Sequence, residues 1–206
     1  MTISATTQGL KPGVCTSSNR PANPFDGMMI YETDTNLVRI WNGTAWKTLS
    51  YSDYTNGSVI QVQSTTVSAI TATTSSSSLV DIADMSVTIT PTSSTSKVFV
   101  SVNMYIGSTG DNDDSYYQLV RGSTNICQST GATVNYSAYT RFALGESDIL
   151  AVLPITIQHL DSPASASATT YKMQWATRVG GLRLNRRGEN TAFGTASTIT
   201  VMEIAA

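Results

Sequence analysis

MSVTITPTSSTSKVFVSVNMYI, residues 85–106, is the stretch that decides the fold. Met85, Val87 and Ile89 alternate with Ser86, Thr88 and Thr90. Successive side chains of an extended strand point to opposite faces, so this segment predicts a strand that is apolar on one side and wet on the other. Pro91, which has no amide to give to a sheet ladder, closes the strand, and residues 92–96 make a turn. Val98, Val100, Val102, Met104 and Ile106 then share one face, opposite Lys97, Phe99, Ser101, Asn103 and Tyr105.

The same period returns further on. Ile149, Ala151, Leu153, Ile155 and Ile157 share a parity, as do Tyr171, Met173, Trp175 and Val179 against Lys172, Gln174 and Arg178. Residues 59–67, 116–121, 182–185 and 197–204 are further strand candidates. In the last, Ile199 and Val201 have one parity and Met202 and Ile204 the other, which demands a bulge or a strand apolar on both faces. Half-buried strands at this spacing predict an antiparallel β-sandwich of the jelly-roll kind over residues 58–206. The serine-threonine run 71–78 leads directly into Leu79, Val80 and Ile82, so it reads as a loop or polar edge inside that domain. No sustained 3.6-residue apolar period, heptad or G-X-Y tract is present, which excludes a coiled-coil or collagen shaft.

Residues 1–57 read as a separate small β-module. After a loop over residues 11–24, strands over 28–33, 37–41 and 45–49 are divided by Asp34-Thr35-Asn36 and by Asn42-Gly43. Asn-Gly tolerates the positive φ of a two-residue hairpin turn, so a three-stranded meander is expected. Such a sheet holds too little core to stand alone, and Ile30, Tyr31, Trp41 and Trp46 want cover from a neighbouring chain or domain. These four are the docking candidates. The polar, turn-rich residues 51–58 read as the linker.

Composition narrows the function. Serine and threonine exceed a quarter of the 206 residues, the mix that suits pleated surfaces. Only 13% of residues are charged and the formal net charge is −2, so no broad basic face exists to neutralise phosphates, and nucleic acid is not an expected partner. No apolar stretch approaches the roughly 20 residues of a membrane helix. The start, MTISATTQGLKPG, lacks the cationic and apolar segments of a secretory signal, which points to a protein made and assembled in a cytoplasm. Cys15 and Cys127 lie far apart without metal-ligand spacing, and read as free thiols.

Residues 20–49, RPANPFDGMMIYETDTNLVRIWNGTAWKTL, carry a resemblance. The run P-x-x-G-x-x-I-Y-E-T-D-T-N followed by W-N-G-x-x-W resembles a short module of tail-fibre and capsid-fibre proteins of tailed bacteriophages, including cyanophages and phages of marine bacteria. Residues 182–204 resemble the closing strands of the β-domain often attached to that module, and residues 93–102 add a third matching piece. The resemblance implies a virion protein, a homotrimer whose N-terminal piece attaches to other virion proteins of tail or capsid while a sandwich projects and trimerises. It implies a host surface glycan as a candidate ligand, and it leaves a capsid decoration role as the alternative.

The residues offer little chemistry. The lone His159 ends an apolar strand, no G-x-S-x-G elbow accompanies it, and Glu32, Glu146, Glu189 and Glu203 are scattered, so no catalytic set is assembled and no cofactor or metal is expected. Asp111, Asp113 and Asp114 form the densest acidic cluster, without the glycine and terminal glutamate of an EF-hand. With Tyr116 and Tyr117 they combine carboxylate acceptors and aromatic faces, the pairing that binds sugar, and are the receptor-binding candidates, with a place at a subunit interface as the other reading of the tyrosines. Arg183, Arg186 and Arg187 surround a turn and suit either a carboxylate clamp or solvent.

Overall fold

Two asparagine turns set the first sheet. Asn36 takes a left-handed φ of 56° between β2 (Met29–Glu32) and β3 (Leu37–Trp41). Asn42 starts the second turn, before β4 (Trp46–Thr48). Its side-chain oxygen accepts from Thr44 N, Thr44 Oγ1 and Ala45 N, which holds a four-residue loop in place of the two-residue turn expected. Gly43 sits there at φ 91°, a conformation open to glycine. The sheet has four strands, not three. A short strand, β1 (Gly13–Cys15), runs parallel to β2 with Val14 opposite Tyr31. Three residues in a Pro/Gly/Ser-rich stretch carry no period, so nothing local announces this pairing.

The computed structural model describes residues 12–49, 56–110, 113–142 and 148–206. The chain divides into two units, Met1–Tyr54 and Thr55–Ala206. The second contains β5 (Val59–Val67), β6 (Thr73–Thr74), β7 (Val80–Ile89), β8 (Lys97–Ser108), β9 (Asp113–Arg121), β10 (Thr124–Ile126), β11 (Ala138–Phe142), β12 (Leu153–Asp161), β13 (Thr169–Thr177), β14 (Leu182–Leu184) and β15 (Ser197–Ile204).

The long strands pair in nested fashion. β9 pairs with β11, β8 with β12, β7 with β13 and β5 with β15, all antiparallel. This is one antiparallel ribbon, and it rolls up because β8 also pairs with β15 and β9 with β13. Two sheets result, β5-β15-β8 with β12 and the short pair β14-β6 along β8, and β7-β13-β9 with β10 and β11 along β9, an all-β jelly-roll sandwich. One apolar core lies between them, built from Val98, Val100, Val102 and Met104 on one sheet and Tyr117, Leu119, Tyr171 and Trp175 on the other. β12 pairs only with β8, which lets the edge strand carry Pro154.

β15 resolves its mixed parity by being apolar on both faces. Ile199 and Val201 point inward while Met202 and Ile204 lie half-exposed outside, and the register against β5 shifts only at the last residue. Buried polar side chains tie the corners. Glu203 accepts from Gln61 Nε2 at 2.7 Å and from both Thr92 N and Thr92 Oγ1 at 2.7 Å. Asn185, buried at φ 61°, donates to the carbonyls of Val67 and Ala69 and accepts from Ser197 Oγ. The serine-threonine run supplies β6, which pairs with β14, and Ser76 O accepts from Thr177 N.

Candidate functional site

In the first unit, residues opposite one another across the strands share a face. Ile30, Glu32, Arg39, Trp41 and Trp46 lie on one side. Ile30 and Glu32 are buried, and Glu32 accepts from Arg20 Nε at 2.5 Å, Arg39 Nε at 3.1 Å and Thr35 Oγ1 at 2.8 Å. The Arg20 hydrogen bond holds the Glu32 carboxylate below its ordinary value, against the upward push of its burial. Arg20 comes from the loop after β1, so this ion cluster fastens the loop to this face. The Trp41 and Trp46 rings meet edge-on at 5.5 Å.

The other face has a different character. Val14, Tyr31 and Val38 are register partners across three strands, and Leu49, whose amide donates to Val38 O, ends the row. Met29 and Ile40 form a second row with Lys47. Val14 and Leu49 are 54% and 57% exposed, and Phe25 on the loop is exposed as well. Among the described residues this single sheet thus carries an apolar row on the side away from the ion cluster.

In the second unit the outer face of β9 and β11 carries a tyrosine groove. Tyr116 and Tyr139 are register partners with ring centroids 5.8 Å apart, and Tyr136 stacks on Tyr116 at 4.7 Å. Together with Ser129, Val134 and Ala138 they line a cavity of about 440 Å³, within the size range of small-ligand pockets. Gln118 positions the covering loop. Its amide donates to Ile126 O and Ser137 Oγ, and it accepts from Gln128 Nε2. Asp114 stands at the rim, accepting from Tyr139 Oη at 2.6 Å and Arg178 Nε at 2.5 Å, with Arg141 at 3.9 Å. The Tyr139 hydroxyl, ahead of the arginines, holds Asp114 below its ordinary value against burial, and the carboxylate in return pushes that hydroxyl up. Aromatic faces beside a fixed carboxylate can stack a sugar ring and accept its hydroxyls.

Residues 1–68 match the family described as the phage tail like trimerisation region. The match takes in the whole first unit and continues through β5. It supports a viral structural protein of phage tail type that assembles as a homotrimer. Two solved structures are similar in outline. Infectious bursal disease virus, Gx strain, gives a TM-score of 0.37 at 11% identity, over 80% of this chain and 45% of that one. The VP2 subviral particle of the same virus gives 0.37 at 12%, over 82% and 48%. The chain thus spans less than half the length of each, and a likeness this distant carries no argument. No curated protein matches the chain by sequence.

The docking candidates separate in the structure. Ile30 is interior, Trp41 and Trp46 lie on the side of the ion cluster, and Tyr31 stands in the open row. Val14, Met29, Val38, Ile40 and Leu49 complete that face. Sequence reasoning passed them over, although pairing 28–33 against 37–41 by parity would have found Met29, Val38 and Ile40. Trimerisation, assigned from sequence to the sandwich, finds its family match in the first unit and in β5 of the second.

Among the receptor candidates, Asp111 lies outside the described residues. Asp113 is fully buried, accepting from Thr177 Oγ1 at 2.6 Å, Ser108 Oγ at 2.9 Å and Val179 N at 3.0 Å, so it staples strands together and is closed to solvent. Tyr117 is a core residue, since β9 turns its odd positions inward. Only Asp114 and Tyr116 face out, and they meet Tyr136 and Tyr139 from a different strand and loop. His159 is half-buried beside Val100, on the inward parity of Ile155 and Ile157. Among the described residues no three His, Cys, Asp or Glu side chains gather for a metal, and no helix is long and apolar enough to cross a membrane.

Proposed function

We propose that this chain is a non-enzymatic phage virion protein, a fibre-like appendage held as a homotrimer through its N-terminal unit and presenting its sandwich to the surroundings. The open apolar row Val14, Tyr31, Val38 and Leu49, lying within the segment that matches a trimerisation region, carries this reading. Burial of such a row stabilises association at roughly 25 cal/mol per Å² against the entropy of bringing chains together. Attachment to other virion proteins through the Trp41 and Trp46 side is part of the same reading, as is a place on the tail. A capsid decoration role is its alternative.

Sedimentation of the purified chain, with antibody labelling of intact particles, tests it. Three copies per complex and labelling at a tail are expected; a dispersed monomer at micromolar concentration overturns it, and labelling spread over the head supports the decoration role instead. The tyrosine groove favours one further role, recognition of a host glycan. Soluble protein should then block adsorption, and Tyr139→Ala should weaken blocking while leaving the melting of the sandwich unchanged.

A further inference from the structure

The outer face of the sheet β5-β15-β8-β12 is not uniformly polar. Val62 is the register partner of Met202, Met202 of Phe99, and Phe99 of Leu160, so four apolar side chains form one unbroken row across four strands. Val62 and Leu160, at its two ends, are 50% and 49% exposed. The next rows along the same strands are Ser64, Thr200, Ser101 and Gln158, then Thr66, Thr198, Asn103 and Thr156. Those rows suit water, and Ser64 and Thr200 even share a hydrogen bond at 2.8 Å. A sheet face left to solvent has no use for an apolar row at one level and hydroxyls at the next two.

We infer that this row packs against a second copy of the chain. The occupant follows from the position of β5. The segment matching a trimerisation region runs to residue 68 and so includes the whole of β5. Val67 is buried in the core of its own sandwich, and one edge of β5 is taken by β15. What β5 retains for another chain is its outer face, where Val62 opens the row. Four side chains fall far short of the roughly 800 Å² per partner that a stable complex buries. The row therefore extends an assembly made elsewhere, and this inference rests on the homotrimer proposed above.

The experiment uses the full chain. Val62→Lys with Leu160→Lys should raise the concentration at which trimers dissociate by roughly tenfold or more, because each ammonium would be buried unpaired. Ser64→Lys with Gln158→Lys, on the same two strands one row away, should move it by no more than about twofold. A photo-cross-linking residue at position 62 should yield a product of twice the chain mass. An intramolecular product joining position 62 to the N-terminal unit, or no protein cross-link at all, overturns the inference. If the unaltered chain sediments as a trimer and both pairs of lysines leave it unmoved, this interface falls and the trimer stands; if the unaltered chain is a monomer, both fall.

Discussion

The N-terminal unit is one sheet, and the C-terminal unit is two. Both alternate apolar and polar side chains, yet only the second closes its apolar faces on each other, with Val100, Met104, Leu119 and Tyr171 wholly out of water. In the first, burial is confined to Ile30 and Glu32 among the described residues, and Glu32 is there as the hub of an ion cluster. A single sheet lays no second layer on its apolar row, whereas a sandwich supplies its own.

Fluorescence can follow the two units separately, since Trp41 and Trp46 lie in one and Trp175 in the other. The largest expected effect is on the sandwich. Leu119 is fully buried, and Leu119→Ala should cost about 2–5 kcal/mol in denaturant unfolding followed at Trp175 while the signal of the first unit holds. Next, Val14→Glu with Leu49→Glu should weaken trimers roughly a hundredfold in sedimentation and leave the sandwich melting where it was. Asn185→Ala should lower sandwich stability by roughly 2 kcal/mol, because two carbonyls and a buried hydroxyl lose their partner. Gly43→Ala should cost the first unit about 1 kcal/mol, from the positive φ and a new methyl 3.0 Å from Asp26 Oδ1.

Acid should act on both units in the same direction and more gently. Glu32 and Glu203 each have a folded-state pKa below the ordinary 4.5, Glu203 because hydrogen bonds from Gln61, Ser96 and Thr92 outweigh the upward push of burial. A depressed carboxylate stabilises the fold above its unfolded pKa, and that contribution is lost as pH falls through the folded value. Melting should be flat from about pH 7 to pH 5 and decline below about pH 4. Glu32→Gln should flatten that decline for the first unit alone and Glu203→Gln for the sandwich alone; a decline unchanged by either substitution would show that other carboxylates govern it.

Much of this was legible beforehand because strand periodicity is a local property. The alternation in residues 85–106 announced β7 and β8, and Asn42-Gly43 announced the turn before Trp46. Glu203 and Gln61, by contrast, lie far apart in sequence, and their hydrogen bond exists only because the ribbon closes β5 onto β15. The tyrosine groove was half visible. Tyr116 stands beside the acidic cluster in sequence, but Tyr136 and Tyr139 reach it through the pairing of β9 with β11.

Sequence alone determined the all-β class, since a period of two and turn residues need no distant partner to be read. Tertiary structure decided which parity faces inward, and it did so strand by strand. In β7 the register against β13 slips and Asp84 takes a left-handed φ of 62°, so Ile82 and Met85, of opposite parity, both enter the core. In β9 the pairing turns Tyr117 and Asp113 inward and leaves Tyr116 and Asp114 outside. Alternation says only that a strand has two faces; the sheet laid against it selects the buried one.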